Sequence, residues 1–569
     1  MTGAPVAIRR PSQVRRRSSD LELLRTFEPV LAFTEGEMFF PMRVEGYVRR
    51  CSLTTRDQDG LPRTVVERGR LSPEVLARIG ANQSSRLLAL RFVEEPLAGR
   101  DYAHWRARRP SFQARGRLAR VGLIGRLADA VFRLTFFARG RVPGGTAAAA
   151  QTQYEAIEAG DPAFAYYGRV FRRGGFTVLN YQFFYAMNDW RSSFFGVNDH
   201  EADWEQVFVY LVEGDDGQLE PAWLAYASHD YAGADLRRRW DDPDLTIAGK
   251  HPVVYIGAGS HASYFQPGEY VTSVELNVLK PVSSLTRLLA RFWRDTLGQG
   301  DPQGFVKGVD SLISVPFVDY ARGDGVRIGP GESFEWTPVV IDDGVDWVDG
   351  YRGLWGLDTR DVFSGELAPA GPKYNRDGSV RQSWYDPIGW AALDLEAPPA
   401  EAETQMARRI DWLEWEAGKV ADESARIREL LPQVSFEVMA LDGVESLRDL
   451  RQRRKSQIDE IEANLKLLAS EQSELHAAAD ACRRLQDRRR NGYRPGPKDH
   501  IRRGMTPEPA QTFHEGRVAE LWAAVSIGLL LVLGAALVAI GAPWFTAVIL
   551  LIGGSVLVDH VLQGTVVQF

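Results

Sequence analysis

Between Asp199 and Glu205 the sequence reads DHEADWE, one histidine and four carboxylates within seven residues. Side chains of these types at this density are those of a cation site. An oxygen-rich set suits Ca²⁺, Mg²⁺ or Mn²⁺ ahead of Zn²⁺, and an imidazole pulls the balance towards Mn²⁺ and Zn²⁺. If extended backbone begins at Asp203, its side chain and that of Glu205 share one face, which Val207 and Val209 continue. His200 falls in the turn just before. The spacing therefore offers His200, Asp203 and Glu205 as ligands of a divalent cation. Left unpaired, the carboxylates would repel one another and one would titrate high. Salt bridges to the chain's many arginines would neutralise the same residues without any metal.

Strands must position such a site. Between residues 25 and 400 the apolar runs PVLAF, RLLALRFV, FTVLNYQFFY, VFVYLV, AWLAYAS and PVVYIGAG read as strands bounded by turn residues. No regular βαβ alternation appears. The expected fold is mainly β, an antiparallel β-sandwich with helical insertions near 100–141 and 282–315. Polar residues at strand ends would converge on a rim: Asn188 and Asp189 after YQFFYAM, His229 after AWLAYAS, and Ser260 and His261 after PVVYIGAG. With Glu201 they would line a ligand site beside the cation. In a metal-dependent hydrolase, Glu205 or Glu201 would be the base and His261 or His229 the acid. The sequence has no nucleophile elbow, zinc-binding helix or phosphate-binding glycine loop, so binding is favoured and no catalytic residue is assigned.

The rest of the chain bounds the setting. A length of 569 residues implies more than one domain. A net charge of -7 argues against a nucleic-acid partner. Two cysteines, Cys51 and Cys482, make neither a disulfide framework nor a zinc cluster and suit a reducing compartment. Residues 1–24 are basic without a following apolar run, so a disordered basic arm is expected and not a secretory signal. The arginine-rich insertion from Arg106 has apolar residues at helical spacing. It would lie on an anionic membrane or pack on the sandwich. Across 401–490, Met406, Ile410, Leu413, Ala417 and Val420, then Ile458, Ile461, Leu465 and Leu468, form heptad-like stripes on two helices, broken near Pro432 and LDGV. These helices either fold back on each other or pair between chains into a homo-oligomeric coiled coil. A linker, 491–517, precedes two apolar runs in 518–562. The first, LWAAVSIGLLLVLGAALVAIG, is uncharged and long enough to span a bilayer. The second is shorter and is either a return helix or re-entrant. A C-terminal transmembrane helical hairpin is expected, with Trp522 and Trp544 at the interface. The arginines before it place the large N-terminal part in the cytoplasm of an integral membrane protein.

The succession EMFFPMRVEGYV, LNYQFFYAMND, DHEADWEQVFVYL, HPVVYIGAGSHASY and YRGLWG resembles the vacuolar protein sorting-associated protein 62 family over about residues 27–395. That family name comes from a trafficking phenotype and implies no activity. DHEADWE is also distantly similar to the cation-bearing heptapeptide of necrosis-inducing Nep-like proteins. That likeness implies metal ligation by His200, Asp203 and Glu205, with an upstream aspartate falling near Asp189. Asp199, Glu201 and Ala202 depart from the heptapeptide, which puts the toxin's lipid specificity and cytolytic action in doubt. Together these readings expect a membrane-anchored, cytoplasm-facing module that holds a divalent cation. Through it the module would bind a polar lipid or glycan head group among membrane lipids. A metal-dependent hydrolase and a metal-free scaffold are the alternatives.

Overall fold

The computed structural model describes residues 11–507 apart from 57–61, 81–87, 111–143, 161, 190–198, 215, 228–232, 276–313, 358–367, 397–401, 494–495 and 502–506. Helix α1 (Pro11–Phe27) precedes strand β1 (Val30–Ala32). Helix α2 (Val44–Arg50) leads into a small sheet of β2 (Ser52–Arg56), β3 (Pro62–Val66) and, after α3 (Pro73–Gly80), β4 (Ala89–Arg91). After α4 (Gly99–Arg108) and α5 (Gly144–Glu158) come five strands in antiparallel succession. They are β5 (Ala165–Arg173), β6 (Phe176–Asn188), β7 (His200–Glu213), β8 (Leu219–Ala227) and β9 (Arg237–Arg239). Short strands follow: β10 (Ile247–Ala248), β11 (His251–Ile256) and β12 (Ser263–Tyr264), the pair β13 (Gly268–Glu275) and β14 (Ser314–Ala321), then β15 (Arg327–Ile328) and β16 (Thr337–Val340). Three short helices, α6 (Asp346–Gly350), α7 (Gln382–Tyr385) and α8 (Pro387–Trp390), precede the long α9 (Ala402–Ala440) and α10 (Arg448–Arg490).

The strands assemble into a six-stranded sheet, β16-β5-β6-β7-β8-β9, and a smaller one, β10-β11-β1-β15, with β12 on β11. One face of β6 and β7 carries Leu179, Tyr181, Phe183, Val207 and Val209. These pack against Leu31, Phe33, Val254 and Ile256, so the two sheets face each other across an apolar core. The opposite face carries Phe184 and Trp204, which meet Val44 and Tyr47 of α2, Trp355 and Trp384. Further along that face, Phe208 and Tyr210 meet Ile388 of α8 and Leu393. Both faces of the sheet are therefore covered. All 13 residues of β6 are buried, and FTVLNYQFFYAMN lacks the apolar–polar alternation of a half-exposed strand.

The expected mainly-β antiparallel sandwich with a coiled coil and a transmembrane hairpin needs correction. Of the described residues 42% are helical and 25% are in strands, largely because α9 and α10 run for 39 and 43 residues. Two strand pairings are parallel, β1 with β11 and β16 with β5. Of the two expected break points, Pro432 lies within the continuous helix α9, and the turn falls at LDGV, residues 441–444. The heptad stripe is used within the chain: Met406, Ile410 and Leu413 of α9 bury against Ala479 and Cys482 of α10, and no coiled coil between chains is shown. Among the described residues no helix is long and apolar enough to cross a membrane, which argues against the expected integral membrane protein. The runs in 518–562, with Trp522 and Trp544, lie outside the described residues, as do 111–143 and 276–313 of the two insertions. The basic arm is helical from Pro11, with Leu24 and Phe27 buried in the inter-sheet core and Asp20 paired with Arg172.

Candidate functional site

Strand β7 begins inside the charged motif and keeps its register with β6 through it, Tyr185 opposite Asp203 and Met187 opposite Glu201. Ala202 sits at a φ of 60°, in the left-handed region that L-residues avoid by roughly 1–2 kcal/mol. Around this bend the motif's side chains leave in different directions, and those of Glu201 and Asp203 find partners within the fold.

Glu201 is directed to backbone. Its fully buried carboxylate accepts the N–H groups of Phe92 (3.0 Å), Val93 (2.7 Å) and Leu357 (3.1 Å). Burial pushes its pKa up to about 7, against the downward pull of these three donors. The carboxylate thereby ties the start of β7 to the chain after β4 and to the segment after Trp355. Gly356 lies so close that a β-carbon there would run into the Glu201 carbonyl. Glu201 is thus part of the frame and not of the expected rim.

Asp203 turns the other way. Its Oδ1 accepts the Trp204 N–H at 3.0 Å, while Oδ2 accepts from Asn188 Nδ2 at 3.3 Å and from His261 Nδ1–H at 2.9 Å. His261 is fully buried, has a φ of 57°, and stacks on Tyr185 with ring centroids 3.8 Å apart and an interplanar angle of 5°. Its Nε2 lies 4.0 Å from Glu37 Oε1. Glu37 is itself fixed by the N–H groups of Met38, Phe39 and Gly259 at 2.7, 3.0 and 2.8 Å. A row Glu37–His261–Asp203 therefore runs through the junction of the chain after β1, the turn after β11 and strand β7. Burial, then Glu205, Asp203 and Glu37, push the Tyr185 hydroxyl pKa well up, so Tyr185 stays protonated beside the histidine.

A second network adjoins the first. Ser260 Oγ and the Tyr264 hydroxyl both donate to Asp319 Oδ2, each at 2.7 Å. Gly257 makes room for it, because a β-carbon there would meet the Ser260 hydroxyl and both Asp319 oxygens. Ser260 is therefore turned to Asp319 and not to His261, and the three residues Ser260, His261 and Asp203 do not form a nucleophilic triad.

The same geometry places the expected cation ligands apart from one another. Among the described residues no three histidine, cysteine, aspartate or glutamate side chains come together as a metal site. His200 Nδ1 is 2.7 Å from the Ala202 carbonyl. Asp189 is engaged by Arg109, whose Nη2 lies 2.5 Å from both carboxylate oxygens. Asp203 is taken by His261, Asn188 and the Trp204 N–H. Glu205 is half-buried on the face of Tyr185 and does not meet His200 or Asp189 in a cluster. Two rim residues, Asn188 and His261, gather at Asp203, and Ser260 adjoins them through its carbonyl, which accepts from Asn188 Nδ2. His229 lies outside the described residues. Glu37, Tyr185, Arg109 and Asp319 complete the site and went unread in the sequence. Only Tyr185 carried a signal, its place in the apolar run that ends at Asn188.

No protein-family model, curated protein or solved structure matches the chain, and nothing in those comparisons bears on the resemblance to the vacuolar protein sorting-associated protein 62 family.

Proposed function

We propose that this chain is a binding module for a polar ligand, such as the head group of a lipid or a glycan, carried on a two-sheet body, and that it is not a hydrolase. What supports this is the use of the charged motif as an internal clamp. Glu201 holds three backbone N–H groups, and Asp203 holds His261 in one tautomer at the centre of the fold. A hydrolase would need a reacting atom beside His261 Nε2. That ring is fully buried, Glu37 faces it at 4.0 Å, and the nearby Ser260 hydroxyl is already donated elsewhere.

The test uses the purified full chain, with chelator present, against an array of glycans and lipid head groups, with release of hydrolysis products followed in the same samples. Saturable binding that the chelator leaves unchanged, without turnover, is expected. Turnover that disappears in His261→Ala, or binding that chelator abolishes, overturns the proposal.

A further inference from the structure

Beyond α10 the chain turns back onto the sheet. Residues 496–501 form a short turn, in which the Gly496 N–H donates to Asp499 Oδ2 at 2.9 Å and the Ile501 N–H to the Lys498 carbonyl at 3.1 Å. The turn lies against β8 and β9, the last two strands of the six-stranded sheet. Two contacts hold it there. Lys498 Nζ meets Asp244 Oδ2 at 2.5 Å, and the His500 ring meets Trp223 of β8 edge-on, centroids 4.8 Å apart at 86°. The ion pair is 49% and 36% exposed, so it contributes little, and the imidazole carries the attachment. Gly496 and His500 thereby wall one side of a cavity of about 350 Å³, with Trp223, Trp240 and Glu396 on its other sides.

The surroundings of His500 suit a neutral ring. Arg237, Arg238 and Arg239 make up β9, and the Arg237 guanidinium already lies over the Trp223 ring at 5.3 Å. The acids nearby are turned to other partners. Asp241 pairs with Arg239 at 2.8 and 2.6 Å, Asp242 with Arg238 at 3.5 Å, Glu396 with Arg489 at 2.5 Å and Asp244 with Lys498. Within the turn itself, Asp499 accepts from the Tyr493 hydroxyl at 3.2 Å and from the Gly496 N–H. Neither imidazole nitrogen makes a hydrogen bond of ordinary geometry among the described residues, although one leans towards the Arg237 backbone. Burial first, then Arg237 and Arg238, push the His500 pKa down to about 4, from an ordinary value of about 6.5.

We propose that residues 496–501 are an acid-released strap: neutral His500 closes it over the β8–β9 edge and the cavity, and protonation of His500 beside three arginines lifts it off. Once detached, the imidazole regains its ordinary affinity for a proton, so the lifted state takes up a proton that the closed state refuses. Closure is fully stable above about pH 6.5 and weakens as pH falls towards about 4. With these two values the ratio of lifted to closed strap rises roughly 25-fold between pH 7.5 and pH 5. The strap is separate from the Asp203–His261 row and stands whether or not the binding reading holds.

Hydrogen–deuterium exchange of the full chain at pH 7.5 and pH 5, corrected for the intrinsic pH dependence of exchange, tests it. Amides of 496–501 should lose protection by roughly 25-fold at the lower pH while those of β6 keep theirs. The loss should be missing in His500→Phe, which keeps an aromatic edge against Trp223 and cannot titrate. Proton NMR of the parent should show the His500 ring, assigned by its disappearance in the variant, titrating at about 4. Unchanged protection of 496–501 in the parent, the same pH dependence in His500→Phe, or a loss that extends equally to β6 overturns the strap. If His500→Phe leaves 496–501 unprotected at both pH values, the NMR midpoint decides: about 4 upholds the strap, and about 6.5 overturns it.

Discussion

Glu201 carries a titration that can be read in the stability of the protein. Its folded pKa of about 7 stands above the ordinary glutamate value of about 4.3. The folded state therefore keeps a proton that the unfolded chain has released. The contribution of this group is fully present below about pH 4.3, declines as pH rises, and is lost above about pH 7, a total on the order of 3 kcal/mol. Urea unfolding at a series of pH values should show this decline in the parent. It should be missing in Glu201→Gln, whose amide does not titrate, and an identical slope in both proteins would refute it. At pH 7.5 the same variant should also lose about 1–3 kcal/mol, because one acceptor oxygen becomes a donor aimed at a backbone N–H. DHEADWE led to the expectation of one high-titrating carboxylate, but through mutual repulsion, whereas burial raises Glu201. The partners of Glu201 are the backbone groups of Phe92, Val93 and Leu357, and no side-chain pattern marks a backbone donor.

At the scale of elements, apolar runs located β6, β7, β8 and β11 because strand cores are continuous in sequence. They did not reveal that β6 is covered on both faces, since the chain that covers it lies in the distant segments around Tyr47, Trp355 and Ile388. The spacing in 401–490 marked the buried stripes of α9 and α10, and LDGV marked the turn between them, but Pro432 does not break the helix. Proline is a sound helix-breaking signal, yet exposed Pro432 is carried inside α9 because Val434 beyond it is still buried. Replacing it should therefore stabilise the helix. Pro432→Ala is expected to raise stability by about 1–3 kcal/mol, read from thermal unfolding followed by helical circular dichroism. An unchanged or lower midpoint would mean that the proline is accommodated without cost. In the site, Asn188, Ser260 and His261 were legible as polar strand ends. Glu37 was not, because it meets His261 only after the chain has run through β5 to β9, five strands of the six-stranded sheet.

For the molecule as a whole, the two sheets and the N-terminal helix form one apolar core. Leu24 and Phe27 of α1 pack with residues of both sheets, and Gly168 of β5 stays bare because a β-carbon would meet the Leu24 side chain. Leu24→Ala should then cost about 2–4 kcal/mol of global stability, as a core truncation does, with a single unfolding transition in urea. A loss within 0.5 kcal/mol, of the order typical for surface substitutions, would show that α1 is peripheral. The charged motif lies where these layers join. The most direct measurement is a double-mutant cycle of Asp203→Ala and His261→Ala, by urea unfolding with and without chelator. An internal clamp predicts a coupling of about 1–3 kcal/mol that chelator leaves unchanged. A coupling near zero, or a parent whose stability falls when chelator is added, would contradict it.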